Sequence, residues 1–140
     1  MSVKQISIFL ENKKGKLAEA TRLIADNNVN LKALSLADSQ DFGILRIICE
    51  DPESVQEKLR DAGYITTTTD VLAAIIPDEP GSFASIMETL TEANVEVEYT
   101  YAFLSTKGGA YLIIRVADNM CAAAALAGAG FTLASEKDLF

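Results

Sequence analysis

An internal repeat constrains this chain more than any other feature of its sequence. Moving the sequence along itself by 66 residues, the distance from Gly15 to Gly81 (81 minus 15), aligns Asn-Lys-Lys-Gly-Lys-Leu with Asp-Glu-Pro-Gly-Ser-Phe. The match continues through nearly the whole chain, with one inserted residue in the second half. A duplication of this length predicts two copies of one small domain, which we place at residues 1–70 and 71–140.

Each copy reads as strand, helix, strand, strand, helix, strand. Apolar residues alternate over residues 3–10 and form a continuous β-branched run over residues 71–76, and both patterns are typical of strands. After each repeated glycine, apolar residues recur at helical spacing, which indicates a helix with one buried side. These residues are Leu17, Ala20 and Ile24 in the first copy and Phe83, Ile86 and Leu90 in the second.

The rest of each copy predicts a hairpin, a second helix and a last strand. Polar turns at residues 38–41 and 105–109 connect the hairpin strands, and Asp51 and Asp118 begin the second helices. The last strands fall at residues 64–69 and 131–134 and are preceded by a terminating glycine. The βαββαβ order predicts an α+β, ferredoxin-like fold, with an antiparallel sheet, both helices on one face, and the two copies packed as a pseudo-dimer.

A ferredoxin-like fold serves many functions, and the composition excludes several of them. The two cysteines, Cys49 and Cys121, lie outside any CxxC pattern, and the chain has no histidine, so we expect neither a metal site nor a cofactor. The net charge of −8 opposes binding to nucleic acid. A phosphate-binding loop of the acyl phosphatase type is only faintly suggested by the lysines near Gly15. The apolar stretches are too short to cross a membrane, so we expect no membrane association and a cytoplasmic location.

The pattern Asn-x-x-Gly-x-Leu between the first strand and helix, followed by Val-Asn-Leu at the second strand, resembles the ACT domain family. In the first copy the resemblance is carried by Asn12, Gly15, Leu17, Val29 and Asn30. In the second copy it is carried by Asp78, Pro80, Gly81, Phe83 and Val95. The resemblance implies a regulatory domain that binds an amino acid.

The loop chemistry agrees with that implication. A glycine lets the backbone approach a ligand, and the amides of the first helical turn favour a carboxylate, while Asn or carboxylate oxygens can accept from an ammonium group. The candidate ligand-binding residues are Asn12, Gly15, Lys16, Leu17, Asn30, Asp78, Gly81, Ser82, Phe83 and Glu96.

In regulatory ACT domains the ligand lies between two copies, so the resemblance implies a ligand held at the interface of the two repeats. We therefore hypothesise two sites, one pairing the 12–17 loop with Glu96 and the other pairing the 78–83 loop with Asn30. The first loop is rich in lysine and the second in carboxylates. We expect the two sites to bind unequally.

Three functions stay open on the sequence alone. The first is a non-catalytic amino-acid sensor or regulatory subunit, which would act on a metabolic enzyme or other regulated protein, or through its own homo-oligomer. The second is a protein–protein interaction module whose ligand sites have degenerated. The third is an enzyme that uses Glu96 or Glu98 with Tyr99, which the absence of histidine and of any recognisable nucleophile–base pair disfavours.

Overall fold

The structure is a computed structural model that describes residues 2–38, 41–106 and 108–140. Ser39 and Gln40 of the first predicted turn, and Lys107 of the second, lie outside the described residues. The first half of the chain contains β1 (Val3–Glu11), α1 (Lys16–Asp26), β2 (Leu31–Asp38), β3 (Phe42–Cys49) and α2 (Pro52–Asp61). The second half contains β4 (Ile65–Ile76), α3 (Ser82–Glu92), β5 (Val97–Leu104), β6 (Ala110–Val116), α4 (Asn119–Gly128), β7 (Thr132–Leu133) and α5 (Glu136–Leu139).

Most of the chain forms two compact units, which consist mainly of Lys4–Thr69 and Asp70–Leu139. β4 passes from the first unit into the second. The sequence predicts two strands here, at residues 64–69 and 71–76, and the structure joins them into one strand of 12 residues. Neither Gly nor Pro occurs between Ile65 and Ile76, so no residue in this stretch interrupts the extended backbone.

The first unit has the strand order β2-β3-β1-β4. β1 and β2 both pair antiparallel with β3, so that Ile8 lies opposite Leu45 and Leu34 lies opposite Ile47. One core cluster combines alternate residues of β1 and β3 with the inner residues of both helices. Both helices therefore cover the same face of the sheet. The cluster contains Ile6, Ile8, Leu10, Ala20, Ile24, Leu45, Ile47, Cys49, Val55 and Leu59.

The second unit repeats this arrangement with the strand order β5-β6-β4-β7. Its core combines Ile86 and Leu90 of α3 and Leu126 of α4 with alternate residues of β4 and β6. A β-bulge near the start of β5, between Val97 and Tyr99, has its counterpart in the first unit between Leu31 and Ala33 of β2. The duplication therefore extends to local irregularities of the sheet.

The chain end differs from the prediction. The last strand is predicted at residues 131–134, but β7 spans only Thr132–Leu133 and the short helix α5 follows. Ser135 causes the change, because its backbone N–H and its hydroxyl both donate to Asp138 Oδ2, at 2.7 and 3.0 Å. This side-chain cap starts a helix in place of further strand.

Candidate functional site

The repeated loop between strand and helix has the same backbone conformation in both units. Gly15 precedes α1 with φ 89° and Gly81 precedes α3 with φ 90°, and both values lie in the left-handed region. A side chain at this conformation is strained, which explains the glycine at both positions. The carbonyl groups of Gly15 and Gly81 accept from Glu19 N–H and Ser85 N–H, at 2.9 and 3.0 Å, and so start the two helices.

A cleft of about 450 Å³ opens beside this loop in the second unit. The loop and the first turn of α3 contribute Asp78, Glu79, Ser82 and Phe83 to its lining. Asp78 and Glu79 are exposed, and Phe83 is 47% exposed, so these residues form the rim. The strands contribute Ile76, Thr100, Ala102, Leu104, Ala110 and Leu112. The cleft is thus an apolar depression with two carboxylates and no basic group on its described lining.

The register of β5 with β6 explains this cleft. Ala102 lies opposite Leu112 and Leu104 lies opposite Ala110, so each cross-strand pair contains one small side chain. These residues share the face of the sheet that carries the helices, because Ala110 and Leu112 belong to the core of the unit. Two alanines next to the start of α3 leave space between the strands and the Phe83 ring.

The first unit has a different cleft, of about 220 Å³, next to its loop. Lys16 is the one predicted binding residue on its lining, together with Glu11, Glu19 and Tyr64. The Tyr64 hydroxyl donates to Glu19 Oε1 at 3.0 Å, and Lys16 Nζ lies 3.6 Å from Glu19 Oε2. Burial and the Glu19 carboxylate raise the pKa of Tyr64. Lys16, Glu19 and Tyr64 of this cleft therefore already contact one another.

A protein-family model that describes the ACT domain pair matches residues 1–139 of the sequence. The chain belongs to the ACT domain pair family. Protein BT0572 from Bacteroides thetaiotaomicron has a solved structure with 37% sequence identity and a TM-score of 0.91, covering 99% of this chain and 96% of that one. The regulatory subunit of aspartate kinase from Thermus thermophilus has 12% identity and a TM-score of 0.66, with 90% and 89% covered, and so shares the fold. No curated protein matches the sequence.

The predicted site residues of this ACT domain pair are only partly brought together. In the second unit, Asp78, Ser82 and Phe83 share one cleft at Gly81. Glu96 lies instead in a separate depression, next to Met87, Asn94 and Val97 at the other end of α3. The pairing of each loop with Asn30 or Glu96 of the opposite repeat stays a prediction.

Asn12 is engaged by its own unit. Its side-chain amide donates to Asp38 Oδ1 at 3.2 Å, and its backbone N–H donates to the Asp41 carbonyl at 3.3 Å. Asn30 and Leu17 are exposed and are absent from the described lining of the first unit's cleft. The two loops of this ACT domain pair therefore share a backbone and differ in their surroundings.

Sequence reasoning missed the strand residues of the second cleft. Thr100, Ala102 and Leu104 alternate along β5, and this period of two placed them on one face of the ACT fold. The sequence signal was present, but nothing in it indicated that this face lay beside Phe83. Glu19 and Tyr64 were missed for a different reason, because they lie 45 residues apart and meet only through the fold.

The acidic and cysteine side chains of the ACT domain pair are dispersed. No group of three His, Cys, Asp or Glu side chains in residues 2–38, 41–106 and 108–140 could hold a metal ion. Within the same residues, no helix has the length and apolar character needed to span a bilayer.

Proposed function

We propose that this ACT domain pair is an amino-acid-binding regulatory protein without catalytic activity of its own. The observation that carries the proposal is the cleft of the second unit, where the repeated loop supplies Asp78, Ser82 and Phe83. A volume of about 450 Å³ suits a small metabolite. The likeness of the fold to a regulatory subunit of aspartate kinase supports a regulatory role over a catalytic one.

The groups around the cleft complement a zwitterion with an apolar side chain. The Asp78 carboxylate accepts from the ligand's ammonium group, in a charge-assisted hydrogen bond. The amides and dipole at the start of α3 favour the ligand's carboxylate next to Ser82. Ala102, Leu104 and Leu112 offer apolar contacts to the side chain. The ligand is therefore an amino acid with an aliphatic side chain of moderate size.

The two loops bind unequally in this proposal. The Asn12 amide already donates to Asp38. Lys13 stands at the position of Glu79, and Lys14 and Lys16 lie beside it. Without a carboxylate at position 12, the first loop offers a weaker partner to an ammonium group. The second loop contributes most of the affinity.

Binding produces regulation when the ligand prefers one of two arrangements of the protein. The change passes to a regulated metabolic enzyme or through association of copies of the chain, in the cytoplasm. A protein–protein interaction module is the second candidate function. The exposed Leu34 and Leu36 side chains favour it, because neighbouring exposed leucines on an edge strand are suited to a protein partner.

The test is a thermal-shift screen of the full chain against the twenty amino acids. A ligand that binds only the folded state raises Tm as its concentration increases. We expect the largest rise with aliphatic amino acids, and we expect Asp78→Ala to abolish it. Glu92→Ala is the matched control, since it removes an exposed carboxylate at the far end of α3 and leaves the shift unchanged.

Asn12→Ala tests the inequality of the two loops. We expect it to reduce the shift much less than Asp78→Ala does. Equal losses from both variants contradict the inequality. The absence of any shift at millimolar ligand rejects amino-acid binding and favours the interaction module.

A further inference from the structure

We propose that the cleft of the first unit is a separate binding site, which takes a small organic amine against the Glu19 carboxylate. The inference goes beyond the proposed function, because this ligand needs no carboxylate and the cleft differs from the one beside Asp78. It gives a role to the polar contacts among Lys16, Glu19 and Tyr64.

The clefts of the two units lie against different elements. The cleft of the second unit is lined by residues of β5 and β6 beside the start of α3. The cleft of the first unit is lined instead by the end of β1, the first turns of α1 and residues 62–65 at the junction of α2 and β4. Phe42 of β3 also belongs to its described lining. Its volume of about 220 Å³ suits a small ligand.

The second unit keeps the backbone of this region and lacks its ionisable groups. Gly63 and Gly130 are equivalent positions 67 residues apart (130 minus 63), and their φ values of 93° and 90° agree. Four ionisable residues of the first cleft have counterparts without an ionisable side chain. Glu11, Lys16, Glu19 and Tyr64 correspond to Pro77, Ser82, Ser85 and Phe131. The fold therefore forms without these four residues, and a role specific to the first unit explains them.

The Glu19 carboxylate is held in place and can still accept further hydrogen bonds. The Tyr64 hydroxyl donates to its Oε1 at 3.0 Å. Lys16 Nζ lies 3.6 Å from its Oε2, which is longer than a hydrogen bond between an ammonium group and a carboxylate. A carboxylate offers about four acceptor positions, so Oε2 has room for the ammonium group of a ligand. The Lys16 side chain is 38% exposed and can turn towards solvent as the ligand enters.

The charges of the lining favour a cation. The described lining contains two carboxylates, those of Glu11 and Glu19, and the single ammonium group of Lys16. Glu11 also pairs with Lys13 at 2.9 Å, but both side chains are largely exposed, so water screens that pair. The cleft therefore carries an excess of negative charge that a cationic ligand neutralises.

Aromatic and aliphatic side chains provide apolar contacts beside these charges. Phe9, Leu10, Phe42, Tyr64 and Ile65 all line the cleft. Phe42 is 50% exposed and Ile65 is 70% exposed, so both leave apolar surface for a ligand to cover. An aromatic ring attracts a cation placed over its face, and an alkyl chain adds apolar contact. The lining therefore selects a primary amine on a short alkyl chain over an alcohol or a carboxylate of the same size.

Titration of the full chain with n-butylamine tests the site. The amide NMR signal of Gly63 reports on the first cleft, and the Gly81 signal reports on the loop of the second unit, so binding at the two places is measured separately. We expect a saturable shift of the Gly63 signal, with a dissociation constant about tenfold lower for butylamine than for n-butanol or butyrate. The absence of a saturable shift, or equal affinities for the three probes, overturns the proposal.

Three substitutions locate the ammonium group. Glu19→Gln removes the carboxylate charge and weakens butylamine binding about tenfold. Lys16→Met removes the competing ammonium group and strengthens binding about threefold. Asp26→Asn changes the net charge by the same amount as Glu19→Gln, at the exposed last turn of α1, and leaves binding unchanged.

The contrary results are equally specific. If Lys16→Met fails to strengthen binding, the ligand does not compete with Lys16 for Glu19, and the proposal is wrong. If Asp26→Asn weakens binding as much as Glu19→Gln does, the effect belongs to the overall charge of the protein and not to the cleft. Unaltered melting curves of the variants separate these outcomes from misfolding.

Discussion

Gly15 and Gly81 lie 66 residues apart (81 minus 15) and have the same left-handed backbone, with φ of 89° and 90°. Asn28 and Asn94, at the ends of the helices that follow, repeat this equivalence with φ of 58° in both units. The duplicated sequence thus specifies duplicated backbone geometry at the two turns that flank α1 and α3. Local features of this kind make contributions to stability that single substitutions can measure.

Replacing Gly81 with alanine tests the left-handed turn. A Cβ at Gly81 meets no atom within 4 Å, so the cost comes from the backbone conformation alone. We expect the free energy of unfolding to fall by about 1–2 kcal/mol, measured by urea denaturation. Gly128→Ala in α4 is the control. Because glycine is less favourable than alanine in a helix, this replacement raises the free energy of unfolding by about 0.5 kcal/mol. An equal loss at both positions contradicts the conformational explanation.

Replacing Gly109 with alanine tests a close approach of two backbone segments. A Cβ at Gly109 lies 2.6 Å from the Ile76 carbonyl oxygen, so the hairpin must move away from β4. The strain of φ 78° adds to this clash, and we expect a total loss of about 3 kcal/mol in the free energy of unfolding. Gly108 also has a positive φ, but a Cβ there meets no atom within 4 Å. We therefore expect Gly108→Ala to lower the free energy of unfolding by less than Gly109→Ala does. Similar losses for both variants are the contrary result.

Removing the Asp118 side chain tests the cap of α4. Its Oδ1 accepts from Cys121 N–H at 3.1 Å, and α4 otherwise consists largely of alanine without charged residues near its start. We expect Asp118→Ala to lower the free energy of unfolding by about 1 kcal/mol, seen as a lower urea midpoint. Asp118→Asn keeps an acceptor and retains most of that stability. If both variants behave alike, the hydrogen bond is not the cause.

The buried thiol of Cys49 makes the stability depend on pH. Burial and the nearby Asp51 carboxylate raise the pKa of Cys49 from 9.0 to about 11. The folded protein therefore holds this proton more tightly than the unfolded chain does. The stabilisation is complete below pH 9 and is lost as the pH rises toward about 11. We expect Cys49→Ala to show a shallower fall of stability over this range.

Alkylation gives a second measurement for the same thiol. Because the thiolate is the reactive form, iodoacetamide at pH 8 should label the exposed Cys121 and leave Cys49 unlabelled. Mass spectrometry then shows one adduct in the folded chain and two after unfolding. Two adducts under native conditions would mean that Cys49 is open to solvent.

Much of the fold could be predicted from local sequence. The periods of 2 and 3.6, the turn glycines and the Asp caps are short-range signals, and the duplication supplied each of them twice. The C-terminal helix was missed because Ser135 competes with strand formation through its bond to Asp138, which is a weak signal in a short segment. The sequence predicts two strands in place of β4 because the boundary between the two copies falls between Asp70 and Val71.

The candidate site was predictable only as a loop. Gly81, Asp78 and Phe83 are marked by the repeat, and the fold places Asp78 and Phe83 on one cleft. Glu96 is only 13 residues beyond Phe83 (96 minus 83), yet it lies in another depression, because α3 separates the two positions. Phe83 lies in the first turn of α3 and Glu96 follows the last turn, so the two positions are at opposite ends of the helix.

The amino-acid sequence by itself determined the duplicated βαββαβ order and the two left-handed turns, because these depend on residues within a few positions of one another. Tertiary structure decided that the two equivalent loops have different surroundings. Ala102 and Ala110 open a cleft beside Asp78, whereas Asn12 bonds to Asp38 and Lys16 contacts Glu19. Most of these contacts join residues that are distant in sequence, so only the packing of strands and helices could bring them together.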